Sequence, residues 1–298
     1  MNVPYFLKDG DKVAIVATAK RLESDISNGV KALEDWGLEV SVGEHVHNQF
    51  GYFAGTDEER IHDLQRALDD SSVKAIIFAR GGYGTTRILD GLDFSNYLNQ
   101  PKWLVGFSDL TSILLKSAVI EVPCIHGPVG VTIGKDGKSD LALRDLLFGH
   151  GNSVLPLVES TYTNSGRCQG KIVGGNLYMI CESLGASNEI DTTGNILFLE
   201  EVGEAKYSVD RLMTKLKRSG KLDYLSGVII GSFSSISDEK SYFEESVEEM
   251  LLSYFSHLDI PLVFGLEAGH EKRNYPLIIG MNCELEVSEK TLSITYIK

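Results

Sequence analysis

Buried strand patterns alternate with amphipathic helix patterns through the first half of the chain, and this alternation limits the fold more than any other feature. Residues 25–37 show the apolar spacing of a helix. Residues 56–70 do so as well, with Thr56 as a predicted N-cap and Glu59 completing a capping box. Strands that alternate with helices of this length indicate an α/β fold, a parallel sheet with helices on both faces. The apolar runs that predict its strands are residues 12–19, 38–43, 73–80, 102–107 and 123–127.

The pattern changes near residue 150, and we therefore predict two domains. Residues 1–150 form the α/β domain, and residues 151–170, rich in Gly, Ser, Thr and Asn, are interpreted as a linker or crossover. Residues 171–298 predict a β-rich domain, a barrel or a sandwich with attached helices. The runs 283–288 and 291–297 alternate with period two and predict a hairpin. Further strands are predicted at residues 170–175, 195–201, 226–233, 261–265 and 275–280, and helices at residues 176–185, 207–219 and 241–256.

The charge and the cysteines limit the partners and the compartment. The 298 residues carry a formal net charge of −14, which would repel both a nucleic-acid backbone and an anionic membrane surface. The N-terminal stretch KDGDK lies where a signal peptide needs its apolar segment, so we expect a cytoplasmic protein. The four cysteines form no C-x-x-C pair and are interpreted as free thiols of a reducing compartment.

The segment GFSDLT places Ser108 where a predicted strand passes into a predicted helix. Ser108 could be an ordinary N-cap, because serine is favoured at that position. Asp109 is itself a good capping residue, however, and Gly106 leaves room for a close approach of the backbone. The pattern resembles the strand–nucleophile–helix turn of G-x-S-x-G hydrolases, although Thr111 replaces the second glycine. The loop ARGGYGTTR, residues 79–87, follows another strand and is expected at the same edge of the sheet.

A serine nucleophile needs a base that an acid orients, and the sequence offers several candidates for each. His270 ends the strand-and-loop segment VFGLEAGH and is the most suggestive base, while His126 at another strand end is a second candidate. The segment LFLEEVGE offers Glu200 and Glu201 as acids. Because neighbouring side chains of a strand point to opposite faces, periodicity leaves the choice between these two carboxylates open.

Two further histidines form an H-x-H pair in a predicted loop, for which a metal site is conceivable. His45 and His47 have no third ligand at a suitable spacing in the sequence, so solvated loop histidines are expected. His62 lies beside Arg60 and Asp63 in the predicted helix at 56–70 and is interpreted as a surface histidine.

Seven segments stand in a fixed order along the chain: FAGTDEERIHDL, ARGGYGTTRILDGLDF, GFSDLT, HGP, GGNL, LFLEEVGEAKYSVDRL and GLEAGH. In this order they resemble the LD-carboxypeptidase family, also called muramoyl-tetrapeptide carboxypeptidases, to which the microcin C self-immunity peptidases belong. The resemblance covers nearly the whole chain, from VAIVATA to YPLIIG. One departure is Thr18, where the first strand of the family usually ends in Pro-Ser or Pro-Ala.

The resemblance implies a Ser–His–Glu triad in which Ser108 is the nucleophile, His270 the base and Glu200 the acid. It also implies an oxyanion hole built from the backbone amides of Asp109 and Gly82. The implied architecture is an α/β domain like that of the glutamine amidotransferases, followed by a β-rich domain, commonly in a homodimer. No metal or cofactor is implied. A non-catalytic binding protein on the same scaffold would not require these three side chains.

The substrate implied by the resemblance is murein tetrapeptide, from which terminal D-Ala would be released in the cytoplasm during cell-wall recycling. The alternative is cleavage of a peptidyl-aminoacyl nucleotide, which needs an aromatic platform for the base, whereas Trp36 and Trp103 both lie in predicted core elements. A carboxypeptidase must also bind a terminal carboxylate. Arg80 could bind it, or could pair with an acidic neighbour such as Asp109. Tyr83 could pack on the peptide or shield the cleft.

Overall fold

The computed structural model describes residues 2–160, 162–237 and 243–297 of the chain. The chain divides into two compact units: residues 1–151 with 276–280 form the first unit, and residues 152–275 with 281–298 form the second. None of the helices within the described residues is long and apolar enough to cross a membrane.

Most predicted elements are present, with bounds that shift by a few residues. The structure adds elements that the sequence analysis did not predict: helices at Thr85–Leu89, Ser95–Asn99 and Gly137–Leu147 and a strand at Asn152–Pro156. The strands of the described residues are β1 (Lys12–Val16), β2 (Glu39–Val42), β3 (Val73–Phe78), β4 (Trp103–Gly106), β5 (Cys124–His126), β6 (Asn152–Pro156), β7 (Gly166–Asn176), β8 (Ile196–Val202), β9 (Gly227–Ser234), β10 (Leu262–Val263), β11 (Leu277–Ile279), β12 (Asn282–Val287) and β13 (Thr291–Tyr296). The α-helices are α1 (Ser27–Asp35), α2 (Asp57–Asp69), α3 (Thr85–Leu89), α4 (Ser95–Asn99), α5 (Thr111–Val119), α6 (Gly137–Leu147), α7 (Leu177–Ser183), α8 (Lys206–Arg218) and α9 (Val247–Phe255).

The sheet of the first unit has the strand order β11-β5-β4-β3-β1-β2. Its first five strands in chain order pair in parallel, which confirms the predicted parallel sheet. Residues 75–78 of β3 and 103–105 of β4 are completely buried, as expected for strands that are covered on both faces. The capping box of α2 is also confirmed: the Thr56 side chain accepts the Glu59 N–H, and the Glu59 carboxylate accepts the Thr56 N–H.

The strand predicted at 275–280 does not belong to the sheet of the second unit. It forms β11, which lies antiparallel to β5 in the first unit, with Leu277 opposite His126. An apolar run predicts a strand without naming its partner, and the outer edge of β5 would otherwise present unpaired backbone groups. The C-terminal region 171–298 therefore contributes one strand to the α/β unit.

The sheet of the second unit has the strand order β10-β9-β8-β7-β12-β13-β6. β7 to β10 pair in parallel, whereas β12, β13 and β6 pair antiparallel. The hairpin of β12 and β13 is confirmed, with Leu285 opposite Ile294. The β-rich character is as predicted. An antiparallel bridge between Leu157, just after β6, and Leu266, just after β10, links the two ends of this strand order.

The segment 151–170, interpreted above as a linker, contains β6 and the start of β7 in the structure. The first residues of β7 alternate between half-buried and exposed, and the polar side chains Arg167 and Gln169 pair with glutamates of β12. A strand with a polar outer face has the composition of a loop, which explains the difference. The helix predicted at 241–256 is α9, capped by Ser246; residues 241 and 242 lie outside the described residues.

Candidate active site

Ser108 lies in the turn that joins β4 to α5, within a short 3₁₀ segment, Ser108–Leu110. Its φ angle is +66°, in the left-handed region that residues other than glycine rarely adopt. Its side chain is half-buried. A sharp strand-to-helix turn that holds a serine in a strained conformation is the geometry of a nucleophile elbow.

Two glycines make room for this turn. A Cβ atom at Gly81 would lie 2.9 Å from Ser108 Cβ and 3.2 Å from Ser108 Oγ, and a Cβ atom at Gly106 would lie 2.5 Å from Leu110 Cδ1. A side chain at either position would therefore collide with the turn. The contact between Gly81 and Ser108 also confirms that the glycine-rich loop 79–87 and the serine turn share one edge of the sheet.

Asp109 ties the serine turn to the glycine-rich loop through its side chain. Its buried carboxylate accepts a hydrogen bond of 2.9 Å from the backbone N–H of Thr85, at the start of α3. Burial raises the pKa of the Asp109 carboxyl. The hydroxyl of Thr85 lies 2.9 Å from that of Thr18, the residue that departs from the family pattern. The Asp109 side chain thus fixes the loop, separately from the catalytic role predicted for its backbone amide.

Arg60 contacts the glycine-rich loop 79–87 through its side chain. It was not recognised in the sequence as a site residue. Its completely buried guanidinium donates to the backbone oxygens of Gly84, at 2.9 Å, and of Thr18, and it lies over the ring of Phe53. The sequence did contain a signal: Arg60 occupies the apolar face of α2, four residues before the buried Leu64. A cation at that position must find partners inside the protein.

The predicted oxyanion residue Gly82 is exposed and has a φ angle of +124°. A Cβ atom there would lie 2.5 Å from Lys20 Cβ and 3.2 Å from the hydroxyl of Tyr52, so only glycine fits. The neighbouring Tyr83 is half exposed, and its ring packs against those of Phe53 and Tyr52. These contacts show an aromatic cluster beside the loop.

Arg80 pairs with an acidic neighbour, but that neighbour is Glu23 and not Asp109. An Arg80 nitrogen lies 3.3 Å from the Glu23 carboxylate and 3.2 Å from the backbone oxygen of Arg21. Hydrogen bonds from Lys20, and secondarily from Arg80, lower the pKa of Glu23. Because Glu23 is half exposed, this ion pair contributes little to stability.

Glu200 and His270 form a hydrogen-bonded acid–base pair in the second unit. The Glu200 carboxylate is completely inaccessible, and its Oε2 lies 2.7 Å from Nδ1 of His270. Gly231 and Gly269 leave space for it: a Cβ atom at Gly269 would lie 2.8 Å from Oε2, and one at Gly231 would lie 3.3 Å from Glu200 Cβ. A carboxylate on Nδ1 fixes the tautomer in which Nε2 can accept a proton.

Glu201 points to the other face of β8 and has a different partner set. Its carboxylate accepts the backbone N–H of Tyr178 at 2.8 Å and the side-chain N–H of Asn176 at 3.0 Å. These contacts stabilise the start of α7. Burial raises the pKa of Glu201. The structure therefore gives the two adjacent glutamates separate contacts, one to a histidine and one to a helix N-terminus.

His126, the second candidate base, is completely buried in β5, where its ring meets the edge of Phe107 at a centroid distance of 5.9 Å. It is therefore a residue of the sheet interior, whereas the side chain of His270 keeps 18% of its surface exposed. A base that exchanges protons with a substrate needs access to it, which favours His270.

Comparisons with known proteins match both units. The sequence profile of the LD-carboxypeptidase N-terminal domain matches residues 13–127, and that of the LD-carboxypeptidase C-terminal domain matches residues 169–285. A probable murein peptide carboxypeptidase of Bacillus subtilis is 34% identical over 98% of this chain and 93% of its own. The murein tetrapeptide carboxypeptidase of Pseudomonas aeruginosa is 30% identical over 92% of this chain and 93% of its own.

Solved structures with the same fold were also found. The muramoyltetrapeptide carboxypeptidase of Oxalobacter formigenes is 28% identical, with a TM-score of 0.84 over 96% of this chain and 99% of its own. The microcin C7 self-immunity protein MccF, in complex with aspartyl sulfamoyl adenosine, is 20% identical, with a TM-score of 0.86 over 98% of both chains.

These findings define the protein as a hydrolase with carboxypeptidase activity, of the serine type that the family implies. The chain belongs to the LD-carboxypeptidase family. The resemblance seen in the sequence is thereby confirmed, and so is its two-part fold, an α/β region followed by a β-rich region.

Proposed function

We propose that this protein is a serine LD-carboxypeptidase that releases D-Ala from murein tetrapeptide, with Ser108, His270 and Glu200 as its catalytic triad. The observation that carries the proposal is the Glu200–His270 hydrogen bond of 2.7 Å, made by a carboxylate that water cannot reach. The strained backbone of Ser108 is its second support, because a sharp turn exposes a nucleophile.

The proposed reaction has two stages. His270 accepts the proton of the Ser108 hydroxyl while Oγ forms a bond to the amide carbonyl carbon that precedes the terminal D-residue. The resulting oxyanion is stabilised by the amides of Asp109 and Gly82. The C–N bond then breaks as His270 protonates the leaving D-Ala. Water, deprotonated by His270, then attacks the acyl carbon. The bond from that carbon to Ser108 Oγ breaks, and His270 returns the proton to Oγ. Glu200 stabilises the imidazolium in both stages.

The substrate assignment rests on relatives and on one basic side chain. The curated relatives named for murein peptides are 30% and 34% identical over nearly the whole chain. A terminal carboxylate needs a cation, and Arg80 is the proposed partner. Its present ion pair with the half-exposed Glu23 is weak, so exchanging that partner for a substrate carboxylate requires little free energy. Tyr83, in the same loop, is proposed to pack on the peptide.

The test is D-Ala release from tetrapeptides that end in L-Lys-D-Ala or meso-diaminopimelate-D-Ala. We expect the wild type to release D-Ala and Ser108→Ala to lose at least about a thousandfold in kcat. Ser71→Ala, at an exposed serine of the same unit, is the matched control and should keep the wild-type rate. Equal rates for Ser108→Ala and wild type would refute the serine nucleophile.

The microcin C immunity type of activity is the rival substrate class, since the MccF fold matches this chain over nearly its full length. A panel of tetrapeptide, pentapeptide and a peptidyl-aminoacyl adenylate separates the two. We expect tetrapeptide to have the highest kcat/KM. A preference for the adenylate would replace the murein assignment and would leave the triad untouched, because both substrates require an activated serine.

The proposal also covers the cellular compartment and the oligomeric state. We place D-Ala release in the cytoplasm, in the recycling of cell-wall peptides, and we propose a homodimer. Fractionation of cells that express the native protein tests the first, and light scattering of the purified chain tests the second. A membrane-bound or exported protein, or a monomer at assay concentration, would contradict the corresponding part.

A further inference from the structure

His45, the first histidine of the H-x-H segment, lies close to Glu44 and His62 in the structure. One potential ligand atom from each of Glu44, His45 and His62 lies within 4.8 Å of the other two. Glu44 and His45 belong to the loop after β2, and His62 belongs to α2. The structure therefore brings together three potential ligands that the sequence spacing did not indicate. His47 is not one of them, and the second histidine of the group is His62 of α2.

The buried carboxylate of Asp63 orients His45. Its side chain is only 4% exposed, and its Oδ1 lies 2.8 Å from Nδ1 of His45. Its Oδ2 accepts the backbone N–H of the same residue at 2.7 Å. A carboxylate on Nδ1 leaves the lone pair on Nε2, which is how most metal-binding histidines are held. The two contacts fix both the backbone and the ring of His45.

The remaining side chains can close around an ion. The side chains of Glu44 and His62 are 65% and 53% exposed, so they are able to move. Ligand atoms at about 2.0–2.2 Å from a tetrahedral metal are roughly 3.4 Å apart, so the present spacing of up to 4.8 Å must shorten by at most about 1.4 Å. The rings of His45 and His62 meet edge to face at 5.4 Å. Arg66 is a competing cation; it lies 4.0 Å from the Glu44 carboxylate and is itself 73% exposed, so it can move away.

We propose that Glu44, His45 and His62 bind a divalent transition-metal ion, Zn²⁺ in the first place, with Asp63 as the positioning residue for His45. Two imidazole nitrogens and one carboxylate oxygen are ligands that zinc takes readily, with water in the fourth position, whereas Mg²⁺ prefers oxygen ligands alone. The ion would hold the loop after β2 to α2. It has no role in the proposed peptidase reaction, whose residues lie elsewhere in the sequence.

The test uses the full chain without a histidine tag, stripped with a chelator and titrated calorimetrically with ZnCl₂ and, separately, MgCl₂. We expect one Zn²⁺ per chain in the wild type and no heat from Mg²⁺ above dilution. His62→Gln should weaken Zn²⁺ binding at least tenfold. This variant changes an exposed side chain, so its fold should persist, and circular dichroism checks it. Asp63→Asn should weaken binding about 10- to 100-fold with a retained fold.

Two matched variants make the result specific. His47→Gln alters the other half of the H-x-H pair, and His270→Gln alters the proposed active site; both should bind Zn²⁺ like the wild type. Zn²⁺ should also raise the midpoint of thermal unfolding in the wild type and in His47→Gln but not in His62→Gln. Absence of binding in the wild type, full affinity in His62→Gln, or loss of binding in His270→Gln would overturn the proposal.

Discussion

The sharpest test of the proposed site replaces each of two adjacent glutamates, Glu200 and Glu201, by glutamine in separate variants. Glu200→Gln keeps the shape of the side chain but removes the charge beside His270. In the transition state His270 becomes an imidazolium, and removing the partner of a buried charge costs about 3–5 kcal/mol. The Glu200 carboxylate is completely buried, so no solvent screens the loss. At about 1.4 kcal/mol for each factor of ten, kcat should fall by a factor of about 100 to about 4,000. Thermal stability should change less, because an amide can still bond to Nδ1.

Glu201→Gln should show the opposite pattern. Its carboxylate accepts N–H groups of Tyr178, Asn176 and Val202, and an amide would direct its own N–H₂ at one of them. An unsatisfied buried donor costs about 1–3 kcal/mol, which lowers the midpoint of unfolding by several degrees in a chain of this size. The change in kcat should stay below about tenfold, because none of these contacts involves His270.

The assay pairs kcat at saturating tetrapeptide with the midpoint of thermal unfolding for wild type and both variants. The reasoning predicts a large kinetic effect in Glu200→Gln and a large stability effect in Glu201→Gln. A wild-type rate in Glu200→Gln, or a greater kinetic loss in Glu201→Gln, would refute the assignment of the acid.

Three further changes follow from the structure. Gly269→Ala should reduce kcat, because the new Cβ would lie 2.8 Å from Glu200 Oε2; Gly203→Ala, also at positive φ but with open space around it, is the kinetic control. Arg80→Gln should raise KM for the tetrapeptide more than it lowers kcat, and an unchanged KM would exclude Arg80 as the carboxylate partner. Burial raises the pKa of Asp140 from 3.8 to about 6. The folded protein thus holds this proton more tightly than the unfolded chain, so stability declines as pH rises between those values. Asp140→Asn should therefore raise the unfolding midpoint at pH 7 but not near pH 4, and equal shifts at both would contradict the argument.

The sequence predicted the elements of the fold better than their pairing. Buried runs such as that of β3 are continuous because both faces are covered, and this signal is local. The partner of a strand is a property of the folded chain. The run at 275–280 was correctly identified as a strand, yet nothing in its residues distinguishes the edge of β5 from the edge of any other sheet.

The candidate site shows the same division between local and distant information. Periodicity placed Glu200 and Glu201 on opposite faces, and this much was local. The choice of Glu200 required the family resemblance, because the contact with His270 spans 70 residues. Glu23 was missed for the same reason, because it meets the glycine-rich loop from a distant part of the chain. For Arg60 the helical period marked the residue as buried, but it did not indicate the contact with Gly84. Contacts between side chains that are far apart in the sequence depend on how the chain packs. They leave no periodic pattern in the sequence from which they could be predicted.

The backbone of Ser108 does not fit the N-cap interpretation, one of the two that the sequence allowed. An N-cap has extended backbone angles and a side chain that accepts an N–H, whereas Ser108 has a φ of +66° and lies inside the 3₁₀ segment, with Leu110 at the start of α5. A left-handed φ angle costs a residue with a Cβ about 1–2 kcal/mol, and a capping role would not require that angle.

Ser108→Gly and Ser108→Ala both remove the hydroxyl and should be equally inactive. The glycine variant should nevertheless be the more stable by about 1 kcal/mol, or ~2–4 °C, because glycine adopts positive φ without strain. At Ser112, within α5, the order should reverse, since glycine weakens a helix. An alanine variant at 108 that is as stable as the glycine variant would show that the turn carries no strain.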